Sequence, residues 1–568
     1  MTKPLTALVV VSALAVCGAR PIAQTLPAPK VPLAALPQID PDKILDHIKQ
    51  LGSDAFQGRA PGTEGENKTV AYLESHFKAL GLKPGNPDGT YIQKVPLVGI
   101  TGSETQPLVF RKGGSTLPLK WKDDVVAWSK HVAPTASIAN SDVVFVGYGV
   151  TAPEYKWDDF KGLDVKGKTI VVLVNDPPIP DPADPAKLDP NMFKGRAMTY
   201  YGRWTYKFEE GARRGAAAVL IVHQTGPAGY DFRVVQGNLG EKFDIVTPDK
   251  NMSRAAIEGW ITLDAAKRLC GMAGQNFDAL EKAAATRAFK PVPLGVTASM
   301  GIANTFRTIN SRNVVAKLEG SDPALKDQYV VYTAHWDHFG VGDPVNGDRI
   351  YNGARDNASG VAGMLEVARA FTQVKPQPKR SILFTVVTAE EQGLLGSQYY
   401  SVDPLYPLAK TAADINIDEM NVYSPSSDVT VIGMGASDLD DYLKQAAQEQ
   451  GRTLHPDSQP EKGFYYRSDH FNFAKQGVPA LFIESGEKAT DGRAPEYLKK
   501  RLDEYEEKDY HAPSDEVKPY WDLRGAAQDA RLVFAVGYRV ANAAKMPEWK
   551  PGNEFKAKRD AMLGRGRQ

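Results

Sequence analysis

Five side chains of metal-ligating type stand in the second half of this 568-residue chain, each inside a short segment of distinctive composition. They are His335 in Thr333-Ala-His-Trp-Asp-His338, Asp356 in Ala354-Arg-Asp-Asn-Ala-Ser-Gly360, Glu391 in Thr388-Ala-Glu-Glu-Gln-Gly393, Asp418 in Asn416-Ile-Asp-Glu-Met420 and His511 in Asp509-Tyr-His-Ala-Pro513. A further carboxylate, Glu390, adjoins Glu391. Imidazole and carboxylate together suit zinc, and this set is large enough for a pair of ions. A water held by zinc loses its proton far more easily than free water, which gives a nucleophile near neutral pH. A carboxylate left out of the coordination sphere can take that proton and return it to a leaving amine. The chemistry these residues support is hydrolysis of a peptide bond.

Such side chains have to be delivered to one place. His335 follows the apolar run Gln328 to Ala334, Glu390 and Glu391 follow Ser381 to Thr388, and Asp418 follows Ala413 to Ile417. All three runs read as strands, with a fourth at Pro479 to Ile483. In open α/β sheets, sites form beyond the carboxyl ends of the strands. Asp356 stands before a helical pattern, Ala358 to Phe371, with Val361, Met364, Leu365, Ala368 and Phe371 on its apolar face. Asn357 or Ser359 can cap that helix. Strands alternating with helices from about Asn310 predict an α/β fold, a mixed, mostly parallel sheet sandwiched by helices. Upstream, Ile44, Leu45, Ile48 and Leu51, then Val70, Leu73, Phe77 and Leu80, recur at helical spacing, and Gly81 ends the second helix. Between Ala133 and Val292 the texture changes to short strands, Asp142 to Gly147 and Lys168 to Val174, a Pro-rich loop, and a helix from Tyr206 to Gly215 leading into a strand at Ala216 to His223.

Lys plus Arg and Asp plus Glu both number 68, which argues against a broad electrostatic surface for nucleic acid or anionic membrane. Hydrophobic content of 42% and charged content of 24% are those of an ordinary soluble globular protein. Lys3, the apolar run Leu5 to Val16 and the small residues behind it form an export signal, with cleavage after Ala19 or Ala23. The run is too short for a membrane span, so no transmembrane segment is expected in the mature chain, and a periplasmic or extracellular location follows. Cys17 raises a lipid anchor, but Val16 stands where that pattern wants Gly, Ala or Ser. With Cys17 removed, Cys270 has no partner for an internal disulfide and reads as a small core residue of a helix. The organisation expected is a signal peptide at 1–23, a Pro-rich linker at 24–40, a first catalytic part at 41–132, an insert at 133–292, a second part with the metal site at 293–545 and a loosely held basic tail at 546–568.

The five ligand segments resemble those of the two-zinc aminopeptidases of the bacterial leucyl aminopeptidase type. The stretches Val144-Phe-Val-Gly-Tyr-Gly149, Gly167-Lys-Thr-Ile-Val171 and Arg213-Arg-Gly-Ala-Ala-Ala-Val219 make the insert similar to a protease-associated domain. The resemblance spans about Lys43 to Asn542 and implies a zinc exopeptidase fold, two zinc ions per chain and peptide substrates. It implies that Asp356 bridges the ions, that His335 and Asp418 complete one position, and that Glu391 and His511 complete the other. Glu390 would be the general base, Asp337 the carboxylate that orients His335, and Tyr510 a donor to the developing oxyanion. Two departures stand out: Glu419 is inserted where many members run directly from Asp to Met, and His338 stands where several have serine. His338 and His470 read as groups in the wall of the site or behind its ligands. Three other readings compete. A carboxypeptidase would draw on Arg355 or Arg467, a glutaminyl cyclase would need fewer metal ligands, and a non-catalytic binding ectodomain would need none.

Overall fold

The computed structural model describes residues 31–237 and 240–565. Residues 1–23, read above as an export signal, lie outside the described residues. Asp40 caps helix α1 (Pro41–Leu51), its carboxylate accepting the Asp42 N–H, and Pro41 sits in the first turn. Ile44, Ile48 and Leu51 bury one face of α1, and Val70, Leu73 and Phe77 bury one face of α2 (Glu64–Ala79).

Strands β1 (Ile92–Lys112), β2 (Val125–Trp128), β3 (Thr135–Phe145) and β4 (Thr169–Leu173) precede helix α3 (Trp204–Arg213). Then come β5 (Ala218–His223), β6 (Ile257–Thr262), helix α4 (Leu263–Ala273), which buries the free Cys270, and the 27-residue strand β7 (Val292–Leu318). The second half contributes β8 (Tyr329–His335), α5 (Gly360–Gln373), β9 (Ser381–Val387), β10 (Thr411–Asn416), β11 (Asp428–Ile432), β12 (Thr453–Pro456), α6 (His470–Lys475) and β13 (Ala480–Glu484). Helices α7 (Tyr497–Lys508), α8 (Arg524–Asn542) and α9 (Lys556–Met562) follow. The strands form one sheet in the order β12-β11-β13-β10-β8-β9-β7-β3-β4-β5-β6-β2, with β1 along β7. This is the mixed α/β sheet flanked by helices that the sequence predicts.

Register explains how the site is assembled. β8 runs parallel to β9 with His335 level with Val387, so Glu390 lies three residues beyond that level. β8 also runs parallel to β10 with Thr333 level with Asn416, which leaves Asp418 two residues beyond. Every residue of β8 and β9 is buried. Side chains alternate across a strand: Val330, Tyr332 and Ala334 pack with α5 and α8, while Tyr329 and Val331 pack on the other face with Tyr400 and Phe473. The Tyr332 hydroxyl donates to the Val533 carbonyl at 2.9 Å, fixing α8 across the sheet.

β7 is the hinge of the architecture. Its far end pairs antiparallel with β9 through Val314–Leu318, and its near end pairs with β3. The strand-rich half is therefore continuous with the half that carries the candidate ligands through one strand. Its parallel strands β3, β4, β5 and β6 have buried residues on both faces, as parallel strands covered by helices do. Its sheet takes in Val125–Trp128, which precedes residue 133. One of its two cores also holds Tyr466, Phe471, Ala474, Trp549 and Phe555, so apolar packing joins the halves as well.

Two expectations need correction. The basic tail is packed through residue 565. Lys550 pairs with Asp438 at 2.8 Å and Asp441 at 2.6 Å, and the buried Arg559 donates to the Leu408 and Thr411 carbonyls at 3.2 and 2.9 Å. Two of its positive charges, Lys550 and Arg559, read as part of a solvated end, have partners more than a hundred residues away. The Pro-rich linker is likewise docked over its described part: Leu33, Leu36 and Ile39 are buried, and Arg531 donates to the Leu33 carbonyl at 2.9 Å. Among the described residues, no helix is long and apolar enough to cross a membrane.

Candidate metal centre

All five expected ligands meet at the carboxyl edge of β8, β9 and β10. His335 Nε2 lies 3.2 Å from Asp356 Oδ1 and 3.2 Å from Asp418 Oδ1. His511 Nε2 lies 3.2 Å from Asp356 Oδ2 and 3.2 Å from Glu391 Oε2. Asp356 therefore gives one oxygen to each imidazole, and each imidazole gathers one further carboxylate. Ligands about 2.0 Å from zinc in tetrahedral geometry sit about 3.3 Å from one another. The four contacts match the edges of two such polyhedra sharing Asp356, so the donor set and its spacing fit zinc. Ligand atoms of His335, Asp356 and Glu391 also fall within 4.8 Å of one another, as do those of His335, Glu390 and Asp418. Glu390 Oε2 is farther off, 3.9 Å from His335 Nε2.

The segments that hold these ligands are locked together. Asp515, buried, accepts the Arg355 N–H at 3.0 Å on Oδ1 and the Asp356 N–H at 3.0 Å on Oδ2. Asn357 accepts the Gly360 N–H at 2.8 Å and the Glu419 N–H at 3.1 Å, and donates to the Ile417 carbonyl at 3.2 Å. The Asp356 turn is thus tied to the loop that carries Asp418. Ser468 donates to Asp418 Oδ2 at 2.5 Å, which leaves Oδ1 for the site. Ala389, Glu419 and His511 have left-handed φ values of 53°, 52° and 56°. Non-glycine residues in that region cluster at functional sites, where the surroundings hold them. Gly353, φ 55°, has no room for a Cβ between the Asp356 carbonyl and the His338 ring.

Asp337 acts differently from the expectation. The His335 Nδ1 meets the Asp337 backbone carbonyl at 3.2 Å, while the carboxylate Oδ1 is 3.8 Å away. That carboxylate accepts the Glu390 N–H at 3.1 Å, so it fixes the backbone of Glu390. His338 contacts a ligand: its Nδ1 is 2.6 Å from Glu391 Oε1, which turns Oε2 toward His511. Burial pulls His338 down to about 4, so at neutral pH it is an uncharged donor. His470 is buried, with its ring against those of Tyr465 and Phe482. Arg355 pairs with Glu419 at 3.0 Å and lies 4.2 Å from the centre of the Tyr505 ring, which anchors the inserted Glu419.

Burial raises Glu390 well above the usual carboxylate range; Glu391 and Asp418 add to it, and His335 opposes. Burial also pushes the Tyr510 hydroxyl far up, so it stays protonated. Tyr510 is 46% exposed, and its ring stacks on that of His511 with centroids 3.8 Å apart.

Arg59 was invisible to the sequence reading. It is buried and donates to four backbone carbonyls: Trp336 at 2.8 Å, Leu51 at 2.7 Å, Asn352 at 2.7 Å and Gly353 at 2.8 Å. Two of these flank the His335 and Asp356 segments. Burial pulls its guanidinium down to about 10, against Asp515, Asp337 and Asp356. Arg59→Met would strand those carbonyls and loosen both segments. We expect zinc affinity to fall about 10- to 100-fold. Competition with a chromophoric chelator measures this, and an unchanged affinity would remove Arg59 from the site's support.

Residues 313–535 match the sequence model for Peptidase family M28. A probable zinc metalloprotease of Pyrenophora teres is 40% identical over 110 residues, covering 19% of this chain and 23% of its own. Leucine aminopeptidase 2 of Trichophyton equinum is 29% identical over 238 residues, covering 39% of this chain and 43% of its own. The chain thus spans less than half the length of these curated relatives. Among solved structures, an aminopeptidase from Aneurinibacillus sp. strain AM-1 is similar, with a TM-score of 0.46 and 19% identity over 90% of this chain and 96% of that one.

Proposed function

We propose, from the match of residues 313–535 to the model for peptidase family M28, a zinc-dependent aminopeptidase that holds two zinc ions and removes N-terminal residues from peptides. The observation that carries the reading is Asp356, whose two oxygens face two separate imidazoles, each at 3.2 Å. Zinc, when bound, supplies Lewis acidity and a water of lowered pKa. Asp356, His335 and Asp418 would hold one ion, and Asp356, His511 and Glu391 the other.

The chain's own residues supply the proton traffic. Glu390 Oε2 faces the ligand cluster and takes the proton of the attacking water. The same carboxyl group returns it to the amine nitrogen as the C–N bond breaks. Asp337 fixes Glu390 through its backbone N–H, so the carboxylate need not reorganise. Tyr510, still protonated, can donate to the carbonyl oxygen as charge develops there.

The free amino end is favoured over a C-terminal anchor because Arg355 is already committed to Glu419 and the Tyr505 ring. Carboxylates dominate the immediate surroundings, with Glu390, Glu419 and Glu484 beside the ligands. An ammonium group is the complementary charge. A peptide and its N-acetylated twin give the test: the free peptide should be cleaved at least about 100-fold faster, since acetylation removes a charge held in a buried site. Equal cleavage of the pair would refute the aminopeptidase assignment. Metal measurement meets the cyclase and binding-protein readings: about one zinc per chain favours the first, none the second.

We further read residues 133–292 as a protease-associated module and the N-terminal run Leu5 to Val16 as an export signal. The strand texture of the one and the composition of the other support these readings.

A further inference from the structure

A row of buried polar side chains runs behind the Asp418 ligand and joins it to Asp414, inside β10. Ser468 Oγ lies 2.5 Å from Asp418 Oδ2, Asn416 Nδ2 lies 2.6 Å from Ser468 Oγ, and Thr333 Oγ1 lies 2.9 Å from Asn416 Oδ1. Thr333 Oγ1 also lies 3.1 Å from Asp414 Oδ1 and 3.3 Å from Asp414 Oδ2. The parallel register of β8 and β10, with Thr333 level with Asn416, brings these residues together. Asp414, Thr333, Asn416 and Ser468 are all buried. With the row closed to solvent, its members must satisfy one another.

Counting hydrogens fixes the direction of every link. Asp418 must be ionised to hold zinc, so it can only accept. Ser468 has one hydroxyl hydrogen and gives it to Asp418; two lone pairs at 2.5 Å would repel. The Ser468 oxygen can then only accept from its other neighbour. That puts the Asn416 amide N–H toward Ser468 and the amide oxygen toward Thr333. An amide oxygen is an acceptor, so Thr333 gives its single hydrogen to Asn416. Thr333 has none left for Asp414. An ionised Asp414 would face a bare oxygen at 3.1 Å, whereas a carboxylic acid donates its own O–H across the same gap.

The surroundings agree. Among the described residues Asp414 has no ion pair, and Thr333 is its one side-chain hydrogen-bond partner. Burial holds its carboxyl well above the usual range; the Thr333 contact opposes this and Asp469 adds to it. Tyr400 and Tyr465 also face it, and neither carries a positive charge. An isolated carboxylate out of water takes up a proton instead. We propose that Asp414 is an un-ionised carboxylic acid at the head of a one-way chain of hydrogen-bond donors, through Thr333, Asn416 and Ser468, and that it positions Asp418 through that chain. The chain holds Asp418 Oδ2 and leaves Oδ1 at 3.2 Å from His335 Nε2. The inference rests on the reading of Asp418 as a zinc ligand and adds a positioning residue and its charge state to that reading.

Infrared difference spectra of the zinc-loaded protein test the charge state. The wild type should show the C=O stretch of a protonated carboxyl across the neutral pH range. Asp414→Asn should remove that band yet keep wild-type zinc content and kcat/KM, because its amide N–H can donate to Thr333 in place of the acid. Thr333→Val breaks the chain: the Asp414 band should persist at a shifted frequency, and zinc affinity at the Asp418 position should fall about 10- to 100-fold. Thr333→Ser, which keeps the hydroxyl, should restore both. A zinc-loaded wild type with no protonated-carboxyl band overturns the proposal, and this arm needs no variant to fold. So does a band that survives Asp414→Asn unchanged, or a Thr333→Val protein with wild-type zinc affinity. A wild type that bound no zinc would overturn the metal reading itself.

Discussion

Glu390→Gln should leave zinc in place and lower kcat by about 10²–10⁴-fold, the range for loss of a general acid–base group. The substitution keeps the volume and one carbonyl oxygen but removes the basic carboxylate. The ligand contacts do not pass through Glu390: the 3.2 Å contacts join His335, Asp356, Asp418, Glu391 and His511, and Glu390 stands off at 3.9 Å. The backbone N–H that Asp337 accepts is untouched by the change, so the side chain stays in place. KM should move little, because the base acts on the water and on the leaving nitrogen. A variant that lost zinc would make Glu390 a ligand, and the roles of Glu390 and Glu391 would have to be exchanged. Near-normal turnover with zinc retained would remove the general base altogether. The neighbouring Asp337→Asn should show a weaker form of the same loss, since it perturbs the position of the base and leaves its chemistry intact.

The strands that carry the ligands were legible because their apolar runs end where polar, metal-competent residues begin. His335 closes β8, and Glu390 and Asp418 fall just past β9 and β10, as the sequence reading placed them. The long strand β7 was not legible. Gly295, Gly301 and its many polar residues break the pattern, and the strand persists because β9, β3 and β1 pair along it. The shared core was hidden for a related reason. Tyr466 and Phe471 look like ordinary packing residues of their own segment, and only the fold shows that their partners include Tyr200 and Phe555.

Inside the site, the ligands carried strong local signatures and their supports did not. Arg59 lies 277 residues from Trp336, whose carbonyl it holds, and nothing around a single arginine announces four carbonyl partners. The sharp turn at Gln57, Gly58 and Arg59, all with positive φ, is a tertiary fact. Asp515 had a faint signal, an acid four residues after His511 in Ala512-Pro-Ser-Asp515, but its target is the backbone of Arg355 and Asp356. His338 was singled out as unusual, and its contact with Glu391 shows why a ring that stays neutral is useful there. It donates one hydrogen bond to the ligand and adds no positive charge next to the ions.

The same connectivity separates the ligands by the damage each would cause. Chelation should abolish hydrolysis and added zinc should restore it; turnover that survives verified metal removal would sink the metal assignment. The wild type should bind about two zinc ions per chain. Glu391→Ala or Asp418→Ala should lower this to about one, because each meets only one of the two imidazoles that share Asp356. Asp356→Ala should lower it further and cost at least about 10³-fold in activity, because both of its oxygens are engaged. In the metal-free protein His511 is raised to about 9, with burial opposing and Glu391 and Asp356 outweighing it, and burial and Asp356 raise Glu391. Zinc must displace protons from both, so its apparent affinity should rise with pH across the neutral range. Metal content measured after equilibration in buffered zinc at several pH values tests the sign. An Asp356→Ala protein that still held two ions with a flat pH profile would show that the ions are carried by other groups, and the shared carboxylate would lose its place at the centre of the site.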